Sequence, residues 1–307
     1  MTRVRLPSPA PSEHARKPVE TPPNDDKKGE ALNAQRFQML EDIAQELSGD
    51  VVFPTAFDIV ARLRKALQDP NLPLPRLAEI VELEPLISGR LIGLANSVAF
   101  KRRGMEVRSV KVAVTRLGIN LVRSTAMGIA MNQLLRAKDL LPFGDLAQRL
   151  WQHSLQTAAA AEVIAQRMTS IAPDEALLAG LVHDLGAFYM LYRASQYPEL
   201  RARPDTVRFL ITEWHESIGH ALLVALGMPH SIADAMRDHD RPRPVPRPPK
   251  NLTDIVYVAN MIAGGKFEWL SRDSDAPEAA RIDLPMEYVD LAEDIEKRAK
   301  DMRAIFG

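Results

Sequence analysis

The sequence predicts an all-α protein, a compact multi-helix bundle with an N-terminal helical subdomain. Apolar residues recur at spacings of three and four along most of the chain, and no segment shows the convincing period-two alternation of a half-buried strand. Prolines and glycines divide the apolar segments into short helices, and no repeat of fixed period is present, which favours a bundle over a solenoid. A chain of 307 residues is long enough for about two domains.

Composition narrows the class of protein further. The chain is 46% hydrophobic and 26% charged, with a formal net charge of −1, so no overall charge attracts it to nucleic acid or to an anionic membrane. It has no cysteine, which excludes disulfides and thiolate chemistry and agrees with a reducing compartment. No apolar segment is long enough to span a bilayer, and the N-terminus lacks the apolar core of a secretory signal. We therefore expect a cytoplasmic protein without a membrane span.

The first 50 residues divide into two parts. Residues 1–30 carry prolines among charges and have little to bury, which predicts a disordered leader. A basic arm for an acidic partner is the alternative, but acidic residues dilute its charge. Residues 31–50 begin with an amphipathic pattern that predicts a lead-in helix over Ala31–Leu47.

Residues 51–140 are predicted to form the N-terminal helical half of the main domain. Their amphipathic segments, each bounded by proline or glycine, are Thr55–Leu67, Leu74–Leu83, Pro85–Asn96, Ser109–Leu117 and Asn120–Arg136. The predicted core residues of the first segment are Phe57, Ile59, Val60, Leu63 and Leu67. The segment Val110–Met127, with Gly118 at its break, also resembles a helix-turn-helix. Because this segment contains few cationic residues, we favour ordinary core helices over a DNA-binding motif.

Residues 141–245 are predicted to form the second half of the same domain. The predicted helices are Leu146–Met168, Ala176–Tyr189, Val207–Leu226 and Ser231–Asp240. Asp145 is expected to cap the first of them, and the alanines at 158–161 would let a neighbouring helix approach closely. Gly186 is expected to end the second.

Residues 246–307 are predicted to fold back onto the bundle. The proline-rich run Arg241–Pro249 predicts an extended linker, with a docking site for a proline-binding partner as the alternative. Asn251–Ala263 is apolar enough to pack on the bundle, and Gly264 and Gly265 are expected to stop it. Tyr288–Phe306 predicts a closing amphipathic helix, with a dimerisation helix as the alternative.

Six ionisable residues recur on consecutive predicted helices: His153, His183, Asp184, His215, His239 and Asp240. Burying such groups costs several kcal/mol unless they are hydrogen-bonded, paired or bound to a metal. Imidazole and carboxylate are usual ligands of divalent metals, and the helices of a bundle can bring them to one centre. We therefore treat the six as candidate ligands of a divalent metal, Mn, Fe or Mg, with a metal-free polar network as the alternative. Three further histidines have no patterned partner: His14, His220 and His230.

Two motifs carry a resemblance to a known family: Leu94-Ala95-Asn96-Ser97 and Ala179-Gly180-Leu181-Val182-His183-Asp184-Leu185-Gly186. Shorter matches are Phe53-Pro54, Glu84-Pro85-Leu86, Ser109-Val110, Ala113-Val114, Leu117-Gly118, Trp151 with Ser154, His215 with Gly219, Met228-Pro229 and His239-Asp240. From about Pro54 to Asp240 the chain resembles the HDOD domain, a degenerate relative of the HD and HD-GYP metal-dependent phosphohydrolases. The resemblance implies an all-α signalling module.

The resemblance also indicates which ligand positions are kept. Residues matching ligand positions of HD-GYP enzymes are His153, His183, Asp184, His215 and His239. Asp240 stands where those enzymes have a second histidine, and Asn260 stands where they have a final aspartate. The lysine after the glycine is replaced by Ala187, and no Gly-Tyr-Pro triplet is present. On this pattern, one metal held by His153, His183, Asp184 and His215 is chemically reasonable.

These observations lead to two functional hypotheses of different class. The first is a regulatory signal-transduction module that binds a signalling protein or a small ligand, such as a nucleotide second messenger, without catalysis. The alternative is a metal-dependent phosphodiesterase acting on a nucleotide or cyclic dinucleotide, in which His183 and Asp184 carry the chemistry. Direct binding of nucleic acid is a third reading, but it needs a basic face that the composition does not reveal.

Overall fold

A computed structural model of the chain describes residues 30–48, 63, 72–97, 100, 106–136, 138–270 and 284–306. Every regular element within these residues is a helix, which confirms the all-α prediction. The predicted leader lies outside the described residues apart from Glu30. The predicted helix Thr55–Leu67 also lies outside them, except for Leu63, which is helical and fully buried.

The N-terminal part of the described chain follows the sequence prediction closely. Its helices are α1 (Glu30–Ser48), α2 (Leu74–Glu82), α3 (Pro85–Asn96) and α4 (Val110–Leu135). The Ser109 hydroxyl caps α4 by accepting a hydrogen bond from the Val112 amide at 3.4 Å. Gly118 interrupts α4 with φ 80° and ψ 173°, at the predicted break. Most apolar side chains on both sides of the break are buried, as expected of ordinary core helices.

The Asn96 side chain closes the loop that follows α3. Its Nδ2 donates to the Val107 carbonyl and its Oδ1 accepts from the Val107 amide, both at 2.8 Å. This pairing imitates one rung of a backbone ladder, so the amide ties the end of α3 to the residues just before α4. The Leu-Ala-Asn-Ser motif therefore has a structural role in the fold.

The rest of the described chain completes the bundle. A 3₁₀ segment, Lys138–Phe143, is followed by α5 (Gly144–Met168), α6 (Pro173–Val182), α7 (Leu185–Ala194), α8 (Pro198–Arg201), α9 (Pro204–Ala225), α10 (His230–Ala235), α11 (Leu252–Ile262), α12 (Gly265–Leu270), α13 (Met286–Val289) and α14 (Ala292–Phe306). None of the helices described combines the length and the hydropathy that crossing a membrane would require.

Three predicted boundaries are wrong. Asp145 does not cap α5, because the helix already begins at Gly144 and Asp145 lies in its first turn. The segment predicted as Ser231–Asp240 is helical only to Ala235, since the chain then makes a turn in which Asp238 has φ 58°. The closing segment forms two helices, α13 and α14, because residues 290 and 291 lie in a turn between them.

The largest correction concerns the predicted helix Ala176–Tyr189, which is two helices. The chain breaks at His183 and Asp184, so α6 ends at Val182 and α7 begins at Leu185. Asp184 has φ −104° and ψ 19°, outside the helical range. Gly186 lies inside α7 and does not end a helix. The apolar periodicity runs across the break without interruption, so the sequence predicted one continuous helix.

Helix α5 is the centre of the second half, and α6 approaches it closely, as predicted. The four alanines at 158–161 are fully buried. A Cβ added to Gly180 of α6 would lie only 2.8 Å from Ala158 Cα, so this contact requires a glycine. The close approach fixes the end of α6, and with it His183, against α5.

The C-terminal helices contact other helices of the chain. Ile295, Ala299 and Met302 of α14 are buried, and Arg298 pairs with Glu162 of α5. The proline-rich run is fixed to α11 by hydrogen bonds. The Tyr257 hydroxyl donates to the Arg243 carbonyl at 2.7 Å and accepts from the Arg243 amide at 3.0 Å.

Helix α1 is tied to the second half by polar contacts. The hydroxyl groups of Tyr189 and Tyr197 donate to Glu46 and Asp42 of α1. Arg193 pairs with Glu46 at 3.0 Å. Together with the buried Leu32, Met39 and Ile43, these contacts dock the lead-in helix on the domain.

Candidate metal centre

The candidate site lies at the break between α6 and α7, where Asp184 meets four imidazoles. Its Oδ2 lies 3.2 Å from His183 Nε2 and 3.7 Å from His153 Nε2. Its Oδ1 lies 3.2 Å from His239 Nε2 and 3.5 Å from His215 Nε2. All five residues are at most 2% exposed. One carboxylate therefore joins imidazoles contributed by α5, the α6–α7 junction, α9 and the turn after α10.

Two glycines allow α7 and α9 to touch at this point. A Cβ on Gly186 would lie 2.0 Å from the His215 carbonyl oxygen and 2.6 Å from the Gly219 amide nitrogen. A Cβ on Gly219 would lie 2.3 Å from the terminal methyl group of Met236. The backbone contact brings His215 to Asp184, so these glycines are part of the site's construction.

Each imidazole is oriented by its other ring nitrogen. The Nδ1 acceptors are the carbonyl oxygens of Ala263 for His153 (3.3 Å), Gly180 for His183 (2.8 Å), Ile211 for His215 (2.7 Å) and Met236 for His239 (2.6 Å). A carbonyl only accepts, so each Nδ1 carries a proton and each Nε2 of a neutral ring presents its lone pair to the centre. Metal-bound histidines are usually held by such a hydrogen bond from the second nitrogen.

The inner nitrogens lie too close together for neutral rings alone. His153 Nε2 lies 3.2 Å from His183 Nε2, and His215 Nε2 lies 3.4 Å from His239 Nε2. Two lone pairs that face each other repel, so each pair requires a shared cation, either a proton or a metal ion. The donor set therefore fits a divalent transition metal.

Protonation in the absence of metal follows from these contacts. Burial alone would lower the pKa of His239, but the negative charges of Asp240, Asp184 and Glu216 outweigh it and raise that pKa to about 10. Burial would likewise raise the pKa of Asp184, yet His183 and His239 hold it well below its usual range. Burial and repulsion from His183 lower the pKa of His153 to about 4. We infer that, without a metal, a proton on His239 supplies part of the positive charge that an ion would bring to the site. A metal ion and this proton would therefore compete for His239.

For the metal-free protein in EDTA, these pKa shifts predict that the free energy of unfolding is greatest near pH 6.5. Folding lowers the pKa of His153 from 6.5 to about 4. Below pH 6.5 the unfolded chain therefore binds a proton that the folded protein does not. As the pH is lowered toward 4, the free energy of unfolding falls by up to about 3 kcal/mol. Because the pKa of His239 rises to about 10, its contribution is complete below pH 6.5 and is lost as the pH rises toward 10. Urea denaturation in EDTA measures both limbs. His239→Gln should flatten the alkaline limb, and stability that rises steadily above pH 6.5 would contradict the assignment.

A family comparison bears directly on this site. The family model described as "HDOD domain" matches residues 53–242, which contain all four imidazoles and Asp184. The chain belongs to the HDOD domain family.

Solved structures resemble this HDOD protein at the level of fold. A candidate metal-dependent phosphohydrolase from Shewanella amazonensis SB2B is 23% identical, with a TM-score of 0.65 over 89% of this chain and 100% of that one. An HDOD domain protein of unknown function from Geobacter sulfurreducens is 20% identical, with a TM-score of 0.57 over 89% and 99%. A candidate signal transduction protein from Marinobacter aquaeolei VT8 is 21% identical, with a TM-score of 0.56 over 90% and 65%. No curated protein matched.

In this HDOD protein the distances divide the candidate ligands into two groups. His153, His183 and Asp184 form one group, and Asp184, His215 and His239 form the other, with the ligand atoms of each group within 4.8 Å of one another. We name these groups the first and second triads. His215, which the sequence pattern grouped with His153 and His183 around one metal, lies beside His239.

The two residues that depart from the enzymatic pattern lie at the edge of the second triad. Asp240 Oδ2 lies 3.6 Å from His215 Nε2, is buried and accepts no hydrogen bond. Asn260 Nδ2 donates to the His239 carbonyl at 3.1 Å and to Asp240 Oδ1 at 3.0 Å. Asn260 therefore acts as a donor that a carboxylate could not replace. All six residues proposed from the sequence thus lie together, and their role as metal ligands stays a prediction.

The other histidines stay apart from the centre. His220 lies near the surface and pairs with Asp234 at 3.1 Å and with Arg237. His230 begins α10 and is exposed on the surface, and His14 lies outside the described residues.

Sequence patterns missed two neighbours of the HDOD site. Trp269 of α12 is fully buried, with its ring centroid 6.5 Å from that of His215. Glu216 Oε1 lies 3.7 Å from His239 Nδ1. The only sequence signal for Glu216 is its position next to His215, and Trp269 carried none. The carbonyl of Ala263, directly after α11, and the ring of Trp269 in α12 both lie against the site, so this part of the chain covers it.

Proposed function

We propose that this HDOD protein is a regulatory signal-transduction module whose metal centre organises its helices rather than turning over a substrate. The observation that carries the proposal is a convergent set of ligands that is closed to solvent, since each imidazole and Asp184 is at most 2% exposed. Such a centre can bind an ion tightly, but it offers no open face to a substrate as it stands.

The charges around the site support a binding role. Among the described residues, no arginine or lysine pairs with Asp184, His215 or His239. Enzymes that transfer or cleave phosphoryl groups use cationic side chains to stabilise the developing negative charge. The lack of such a pair among the described residues of this part of the site favours regulation over phosphodiester cleavage.

The triads define how a metal would be held. His153, His183 and Asp184 Oδ2 would hold one ion, and Asp184 Oδ1, His215 and His239 a second. Imidazole-rich sites suit Mn²⁺ or Fe²⁺ better than Mg²⁺, which prefers oxygen ligands. When bound, the ions supply positive charge that cross-links the helices, so occupancy would be coupled to folding stability.

The signal passed on is proposed to be a change in how the domain binds a partner protein or a small ligand such as a nucleotide second messenger. A structurally similar protein of Marinobacter aquaeolei VT8 is named as a candidate signal transduction protein, which agrees with this role.

The second candidate is a metal-dependent phosphohydrolase acting on a nucleotide or cyclic dinucleotide. It is favoured by the buried Asp240 Oδ2, an acceptor without a hydrogen bond next to the second triad. The Shewanella amazonensis SB2B neighbour carries the corresponding name. In this reading His183 and Asp184 would be the essential residues.

Hydrolysis assays on the Mn²⁺- or Fe²⁺-loaded protein separate the two candidates. We expect no cleavage of a cyclic dinucleotide or of bis(p-nitrophenyl) phosphate above the level of the His183→Ala variant. Turnover in the wild-type protein that is lost in His183→Ala would overturn the regulatory proposal and favour the enzyme.

A further inference from the structure

The turn after α10 carries one of the three residues of the second triad, and its backbone includes an unfavourable conformation. It runs from Met236 to Asp240 and delivers His239 to the centre. Asp238 within it has φ 58°, which is the only positive φ of a residue other than glycine in the described parts of the chain. Residues with a side chain rarely adopt this conformation unless their surroundings hold it.

Glu216 of α9 holds this turn through two backbone amides. Its Oε2 accepts from the Asp238 amide at 3.2 Å, and its Oε1 accepts from the Asp240 amide at 3.3 Å. The two bonds flank His239, and Oε1 also lies 3.7 Å from His239 Nδ1. The Glu216 side chain is partly buried, with 23% of its surface exposed. Because Glu216 follows His215 directly, one turn of α9 provides both a ligand and the support of a second ligand.

The first triad has different supports. His153 is oriented by the Ala263 carbonyl and His183 by the Gly180 carbonyl. Both residues lie on or beside α5 and α6, which pack closely through Gly180. None of these supports comes from the turn after α10, although the rings of His183 and His239 pack edge to face with their centroids 4.9 Å apart.

We propose that Glu216 is a positioning residue that makes the second triad competent to bind metal. The inference rests on the proposed metal centre and adds to it a specific cause for the position of His239 and Asp240. Without the Glu216 carboxylate, the two amides lose their acceptor, the turn relaxes, and His239 leaves the reach of Asp184 Oδ1. The ion at the second triad is then weakened while the ion at the first is kept.

Cobalt titration of Glu216→Gln tests this assignment in the full-length protein. Glutamine keeps the size of the side chain but turns an NH₂ group toward one of the two amides. Binding of Co²⁺ is followed by calorimetry and by its visible absorption, which reports coordination independently of activity. We expect the wild type to bind two classes of Co²⁺, and Glu216→Gln to weaken one class by about 10–100-fold, as loss of a supporting residue commonly does.

Matched variants and a second readout complete the experiment. Glu213→Gln makes the same change on an exposed residue one turn earlier in α9 and should bind as the wild type does. Glu216→Ala, which leaves the amides to water, should reproduce the selective loss. Hydrogen exchange at the Asp238 and Asp240 amides in EDTA should accelerate in both Glu216 variants even without metal.

The outcomes distinguish this inference from the proposed function. If the wild type binds no Co²⁺, the metal centre fails and the inference with it. If the wild type binds two ions and Glu216→Gln binds both unchanged, only the positioning role is overturned. An equal weakening of both ions together with a lower melting temperature would also overturn it, because it would show a general structural effect.

Discussion

Gly186→Ala is expected to destabilise the fold by about 3 kcal/mol or more, at the upper end of the usual cost of overpacking. The added Cβ would lie 2.0 Å from the His215 carbonyl oxygen and 2.6 Å from the Gly219 nitrogen. Both are backbone atoms, so relief requires α7 to move away from α9. That movement would also draw His215 away from Asp184 and weaken metal binding at the second triad.

The matched control for this substitution is Gly93→Ala. Gly93 lies on an exposed part of α3, and an added Cβ would meet nothing within 4 Å. Alanine is the better helix former, so the control should be neutral or stabilised by up to about 1 kcal/mol. Urea denaturation of both variants measures the difference. A Gly186→Ala variant as stable as the wild type would show that α7 and α9 do not make this backbone contact.

Asp184→Asn is expected to abolish metal binding at both triads. One carboxylate oxygen serves each triad, whereas an amide offers a single acceptor oxygen and no charge. Loss of a supporting residue costs about 10–100-fold in affinity, and loss of a shared ligand should cost more. In the metal-free protein, removal of this partner of protonated His239 should also cost about 3–5 kcal/mol.

Thermal unfolding with and without Mn²⁺ measures both effects. The wild type should melt at a higher temperature with Mn²⁺ than with EDTA, since a ligand bound only by the folded state stabilises it. Asp184→Asn should melt lower in EDTA and show no response to Mn²⁺. Asp290→Asn makes the same chemical change on an exposed residue and should behave as the wild type does. An unchanged Mn²⁺ response in Asp184→Asn would rule out the shared carboxylate.

The helical fold was predictable because its signals are local. Apolar spacing and proline or glycine boundaries predict α2, α3 and the break at Gly118 almost to the residue. The break at His183 and Asp184 was not predictable in this way, since the apolar pattern continues through it. The break is followed at once by the contact of Gly186 with the backbone of α9, which no local pattern records.

The residues of the candidate site were predictable, but their arrangement was not. The residue types and the family resemblance indicated the six candidate ligands, and the structure places them together. The division into two triads depends on which imidazole faces each oxygen of Asp184. The support from Glu216 depends on a turn with a positive φ at Asp238, and residues of this kind meet only when helices distant in sequence pack together.

The most direct test of the account is the metal content of the protein after purification without chelators, loading with Mn²⁺ and removal of free ions. Elemental analysis of the wild type should find one bound ion for each triad. His183→Ala should lose the ion of the first triad, and Asp184→Asn should lose both. A wild-type protein that retains no more Mn²⁺ than Asp184→Asn would contradict the claim that these imidazoles form a metal centre.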